Sequence, residues 1–173
     1  NDKDQSRYER LKKFELSKED FYKLSKFAKS KKLIFISTPL DIQSAIYLNK
    51  CVDYFKISSG DNNYFQLIEK VLSFKKPIIM STGMQSIDTL KGSVEILQES
   101  KVGYALLECT NLYPSPPEIV SLRGIQELRE AFPDAVVGFS DHSIGSSMAL
   151  AAVGLGASII ERHFTDSRYR QGP

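Results

Sequence analysis

Two histidines are all this chain contains, and each closes an apolar, strand-like run. One run is Ala135-Val136-Val137-Gly138-Phe139-Ser140-Asp141-His142; the other is Ser158-Ile159-Ile160-Glu161-Arg162-His163. Gly145 and Gly156 bracket one short helix's worth of chain between them. A β-α-β unit of that length lays its two strands parallel and adjacent, roughly 4.8 Å apart. Both imidazoles then emerge at one mouth, close enough to share a metal ion. Singly, either histidine reads as a packed or surface residue; their symmetric placement is what points to a metal. Two imidazoles do not make a closed structural zinc site, and Cys51 and Cys109 lack CxxC spacing. An open site, filled by water and substrate oxygens, suits Mn²⁺ or Mg²⁺ as a Lewis acid, and histidine tilts the choice to Mn²⁺.

Lys56 interrupts Tyr54-Phe55-Lys56-Ile57, a run that otherwise reads as a buried strand. Strand alternation puts Tyr54, Lys56 and Ser58 on one face and the apolar Phe55 and Ile57 on the other. A buried ammonium needs a partner. That partner is either an interior carboxylate, Glu108 or Glu161, which alternation can also turn inward, or an anionic substrate. Thr38, Ser81, Asn111 and Ser140 add hydroxyl and amide groups at other strand ends. Each alone is an ordinary strand-end residue, but as a ring around a lysine they suit a phosphate or carboxylate. Glu161 shares a face with His163 and either orients an imidazole or balances charge. Tyr113 opens Tyr113-Pro114-Ser115-Pro116-Pro117, read as a rigid loop over the mouth or as a plain helix entry.

The elements that must hold these residues follow from the hydrophobic pattern. Six short runs rich in β-formers occupy 33–36, 52–57, 77–80, 104–107, 135–139 and 158–160. Helical segments are expected from Ser17 to about Lys31, where Ser17-Lys18-Glu19-Asp20 resembles a capping box, and over 65–74, 86–99, 117–131 and 146–155. Alternating strands and helices predict an α/β fold with a parallel sheet. A doubly wound sheet should carry a glycine-rich phosphate loop, and none is present. A (β/α)8 barrel instead gathers functional groups at many strand ends, and all six runs here end in polar groups. The reading is an incomplete (β/α)8 TIM barrel, about strands three to eight.

Composition sets the outer bounds. The chain has 173 residues, 42% hydrophobic and 25% charged, as in one soluble globular unit. No run reaches the roughly 18 apolar residues of a membrane span, and there is no signal-peptide pattern. A net charge of +2 is too small to argue for nucleic acid. Eleven Lys/Arg against six Asp/Glu in residues 1–32 mark a solvated helix face. Two cysteines make no disulfide framework, so buried free thiols and a reducing cytoplasm are expected. The chain opens without methionine at Asn1 and stops at Gln171-Gly172-Pro173, and it reads as a piece of something longer.

Five motifs in order resemble the sialic acid synthase family, which includes N-acetylneuraminate, legionaminic and pseudaminic acid synthases. They are Lys56-Ile57-Ser58-Ser59-Gly60-Asp61, Ser81-Thr82-Gly83-Met84-Gln85, Cys109-Thr110-Asn111-Leu112-Tyr113-Pro114, Ser140-Asp141-His142 and Glu161-Arg162-His163-Phe164-Thr165. The resemblance implies a barrel that condenses phosphoenolpyruvate with an N-acetylated hexosamine such as N-acetylmannosamine, releasing phosphate. It implies a divalent metal, Mn²⁺ above Mg²⁺, on His142 and His163. Lys56, Thr38, Ser81, Asn111 and Ser140 would hold phosphoenolpyruvate, with Asp61 and Tyr113 facing the sugar and His142, His163 and Lys56 catalytic. It also implies a homodimer in the full-length protein, beside the cytoplasmic location and the lack of nucleic-acid and membrane partners expected from composition. Asp61 stands where some members have glutamate. The family's first two strands and its C-terminal antifreeze-like domain have no counterpart in residues 1–173, so the isolated chain is expected to be inactive and to associate through open edges. The rival readings are another barrel synthase or aldolase using phosphoenolpyruvate or pyruvate, and a catalytically silent barrel module.

Overall fold

The computed structural model describes residues 2–167 and 169–170; the expectation drawn on Gln171 to Pro173 lies outside them. Helix α1 (Asp2–Lys12) precedes α2 (Lys18–Ser30). There follow β1 (Ile36–Ser37), α3 (Ile42–Leu48), β2 (Tyr54–Ile57), α4 (Phe65–Leu72), β3 (Ile78–Ser81) and α5 (Ile87–Glu99). The described chain continues with β4 (Tyr104–Cys109), α6 (Arg123–Ala131), β5 (Val136–Asp141), α7 (Ser147–Gly154) and β6 (Ile160–Arg162). Short 3-10 turns cover Ser59–Asp61 and Pro117–Ile119.

The six strands form one parallel sheet in the order β1-β2-β3-β4-β5-β6. This order decides the architecture. A doubly wound sheet reverses at a switch point, whereas right-handed crossovers with no reversal leave every connecting helix on one face. The sheet is therefore the wall of an incomplete (β/α)8 barrel, helices outside and functional ends at one rim.

Alternation divides the strand residues between two layers. Phe55, Ile57, Ile78, Met80, Leu106, Val137 and Phe139 face outward and are buried in the core against Leu67, Ile68, Val94, Leu97, Ile125 and Leu128 of the helices. The in-between residues, Lys56, Ser81, Cys109, Ser140 and Glu161, fall on the concave face. Phe55 and Phe74 stack with ring centroids 5.7 Å apart, pinning β2 to the end of α4.

Local signals set the helix ends. Ser17 and Asp20 form the capping box that opens α2, each side chain accepting from the other's backbone N–H at 3.1 Å. Ser86 and Thr89 do the same for α5.

Three expectations are corrected. The first strand covers Ile36–Ser37 rather than 33–36. Lys32 adopts the left-handed conformation (φ 59°) and the Leu33 N–H bonds back to the Ala28 carbonyl, which commits Leu33 to closing α2. The segment 117–131 is a 3-10 turn, then a helix from Arg123, because Val120 is extended. The last strand sits two residues later than expected, at Ile160–Arg162. Helix α3 was not among the expected helices; its Asp41 N-cap accepts from Ser44 N.

Candidate active site

At the C-terminal rim, Lys56 projects from β2 into the concave face with its side chain 12% exposed. Its ammonium donates to Ser81 Oγ at 2.7 Å and to the Ile57 carbonyl at 3.3 Å. The carboxylate of Glu161 lies 3.5 Å away. Its other oxygen accepts from Ser140 Oγ at 2.7 Å. Four strands thus converge on one line of two hydrogen bonds and an ion pair, Ser81–Lys56–Glu161–Ser140. Of the two carboxylates offered as partners for Lys56, Glu161 is the one that meets it.

Glu108 does not turn inward, which corrects the other half of that expectation. It shares parity with outward-facing Leu106, and its carboxyl lies between β4 and α6, where a Cβ on Gly124 would come within 2.4 Å of it. Burial, with a smaller push from Glu127, raises its pKa to about 7.

His142 is held by its δ nitrogen, 2.9 Å from the Thr110 carbonyl oxygen. A carbonyl only accepts, so Nδ1 carries a proton, and in the neutral ring the lone pair is on Nε2. Nε2 lies 3.5 Å from Ser140 Oγ. The His142 and His163 rings are 5.3 Å apart between centroids, and the Tyr113 ring packs 4.0 Å from the first and 5.4 Å from the second. Tyr113, Pro114, His142, Arg162 and His163 border a cleft of about 270 Å³. Burial raises the Tyr113 phenol above its ordinary value. The peptide joining Tyr113 to Pro114 is cis.

The two imidazoles stand at one rim with centroids 5.3 Å apart, near enough for both to face one small ion. Among the described residues no group of three or more His, Cys, Asp or Glu is placed to hold a metal ion. A pair of imidazoles with no third such ligand beside it would suit only a cation that completes its shell with water and substrate oxygens.

The remaining expected residues lie nearby or further off. Asn111 Oδ1 accepts from the Cys109 thiol at 3.0 Å and sits 2.5 Å from where a Cβ on Gly83 would be, so Gly83 leaves the space Asn111 fills. Asp61 accepts from Ser58 Oγ at 2.6 Å, in the turn after β2. Thr38 follows β1 and lines a separate cleft with Phe21, Leu40 and Tyr47, away from the Lys56 line. Cys51 and Cys109 are free and buried, as expected. Sequence reasoning treated Cys109 as a core thiol only, but it also lies 4.0 Å from His142 Nδ1, and burial raises its pKa. It missed Asn62 as well, whose buried amide donates to the Ser81 and Gly83 carbonyls and so fixes the loop that presents Ser81.

The model of the NeuB family matches residues 1–173, the whole chain. The chain belongs to the NeuB family. Relatives within reach of this family member include the N-acetylneuraminate-9-phosphate synthase of Homo sapiens, 37% identical over 87% of this chain and 42% of that protein. The N,N'-diacetyllegionaminic acid synthase of Campylobacter jejuni is 36% identical over 98% of this chain and 52% of its own length. Among solved structures, an N-acetylneuraminic acid synthetase from Leptospira borgpetersenii in complex with citrate superposes with a TM-score of 0.85 at 32% identity, covering 89% of this chain and 54% of that one. The chain spans about half the length of the curated relatives it matches. No described helix is long and apolar enough to cross a membrane.

Proposed function

We propose that this NeuB-family chain supplies most of the active site of a sialic-acid-type synthase, which joins phosphoenolpyruvate to an N-acetylated hexosamine such as N-acetylmannosamine and releases phosphate. The observation that carries this reading is the convergence of the Ser81–Lys56–Glu161–Ser140 line and the two imidazoles at one end of a parallel barrel wall. An anion binder needs several preoriented donors around one cation. Lys56 and Ser81 provide these, with Ser140 and Asn111 as further donors at the rim. The Glu161 carboxylate lies 3.5 Å from the Lys56 ammonium. An incoming phosphate or carboxylate would take over that ammonium, exchanging one anion for another rather than charging an empty pocket.

His142 and His163 would hold a divalent cation, Mn²⁺ before Mg²⁺. When bound, it supplies Lewis-acid polarisation of the acceptor's aldehyde oxygen. The Thr110 carbonyl holds His142 in the tautomer that leaves Nε2 free for this. Tyr113, packed on both rings, walls the side where the sugar would enter, and Asp61 would face its hydroxyls.

The test uses the full-length protein with Mn²⁺, phosphoenolpyruvate and N-acetylmannosamine, following phosphate release. Release should depend on both substrates and fall to background in the His142→Ala/His163→Ala variant. Undiminished turnover or Mn²⁺ binding in that variant would remove the reading.

A further inference from the structure

His142 and His163 each follow a residue that faces the other side of the sheet, Asp141 and Arg162. The β5–β6 ladder ends on these two: its described rungs are Phe139 with Ile160, Ser140 with Glu161 and Asp141 with Arg162. Among the described residues, no strand pairing beyond that last rung holds the histidine positions relative to each other. What continues there is a charge network. Asp141 is 1% exposed, and its Oδ2 lies 3.4 Å from Arg162 Nε. Its Oδ1 accepts from Ser143 N at 2.8 Å and from Ser143 Oγ at 2.6 Å. One Arg162 Nη donates to the Ser143 carbonyl at 2.6 Å and the other to the Gly145 carbonyl. The guanidinium therefore ties the end of β6 to the loop that leaves β5, and His142 lies inside that tie. The His142 carbonyl accepts from Ser115 N at 2.9 Å, which fixes the same residue to the loop carrying Tyr113.

We infer that Asp141 and Arg162 are positioning residues, which set the separation and aim of His142 and His163 from the opposite face of the sheet. A carboxylate buried this deeply needs an opposite charge and hydrogen bonds beside it, here the Arg162 guanidinium near Oδ2 and Ser143 donating to Oδ1. Arginine's rigid fork can meet a carboxylate and two carbonyls at once, as a lysine cannot. Partners bonded directly to a ligating imidazole change metal affinity by about 10–100-fold when removed, and a pair that acts through the backbone belongs at the lower end of that range. The inference rests on the reading of the two histidines as metal ligands.

The experiment is Mn²⁺ titration of the full-length protein, followed by the electron paramagnetic resonance signal of free Mn²⁺, with circular dichroism on each variant. Asp141→Asn and Arg162→Gln should each weaken Mn²⁺ binding by about 10-fold while remaining folded. Together they should lose little more than either alone, and Arg162→Lys should recover part of the loss. If His142→Ala/His163→Ala binds Mn²⁺ like the wild type, the metal reading fails and this inference falls with it. If that variant loses Mn²⁺ but Asp141→Asn and Arg162→Gln bind normally, the positioning role alone is overturned. Should Asp141→Asn not fold, the partly exposed Arg162→Gln decides. Failure of both to fold makes the pair a purely structural one, which also overturns the inference.

Discussion

Lys56 is a cation in a strand whose flanking residues, Phe55 and Ile57, are completely buried, and the charge itself marked which face of β2 lines the barrel. In β4 no such marker exists. Ala105, Leu106 and Leu107 are apolar on both faces, so alternation gave no phase and Glu108 could be turned either way on paper. The Asp141–Arg162 pair was hidden for a related reason, since each residue is legible only as the neighbour of a histidine and the register that joins them is not written in either strand. What Lys56 does can be decided by its partner's exposure. Glu161 is 40% exposed, against 12% for Lys56, so water can solvate the carboxylate if the ammonium is removed. Breaking a fully buried pair costs about 3–5 kcal/mol; for Lys56→Met the expected loss is roughly 1–2 kcal/mol, reduced by that solvation. Phosphoenolpyruvate binding should be lost. Calorimetric titration beside thermal melts checks this, and a variant that keeps its affinity while losing 3 kcal/mol or more would make Lys56 a structural ion.

At the scale of elements, β4 and α6 approach closely where Gly124 leaves room for the Glu108 carboxyl. The helix positions were largely legible, because capping residues and amphipathic spacing are local signals; what the pattern lacked was the contact between elements. Glu108 makes that contact titratable. Its pKa is pushed up to about 7 from an ordinary 4.5, by burial first and then by Glu127, which Arg123 partly neutralises at 3.0 Å. The sign follows from proton counting. Below pH 4.5 the carboxyl is protonated whether the chain is folded or not and contributes nothing. Between 4.5 and about 7 the unfolded chain has released a proton that the native state still holds, so stability falls as pH rises. Above 7 the penalty is constant. Glu108→Gln removes the ionisation and keeps the shape, so it should match the wild type at low pH. By pH 8 it should be more stable by on the order of 2–3 kcal/mol. Urea unfolding across this range is the measurement, and parallel pH profiles for the two proteins would show that Glu108 is solvated as an anion.

For the whole molecule, the barrel reading came from chemistry at six strand ends, and the strand order supplied what sequence could not, since winding direction depends on which strands pair. That order leaves two outer strands. Among the described residues β1 pairs only with β2, and β6 only with β5. Unpaired backbone on a parallel edge, beside apolar side chains, is a template for another chain. The β1 side exposes Leu33, Ile34 and Ile36, and past β6 Phe164 is 94% exposed. Wetted apolar side chains of this size each forgo about 1.5–3 kcal/mol of burial, so two edges offer enough to draw copies together. The 173-residue polypeptide produced on its own should therefore self-associate. Light scattering after size exclusion should give masses above the 19.5 kDa of one chain, rising with concentration. Lysine at Ile34 and Ile36, which adds charge to the edge without touching the buried core, should shift the distribution towards the monomer. A wild-type chain that stays at 19.5 kDa over the whole concentration range would mean that these edges are closed in solution by the chain itself, and the open six-stranded wall would have to be abandoned.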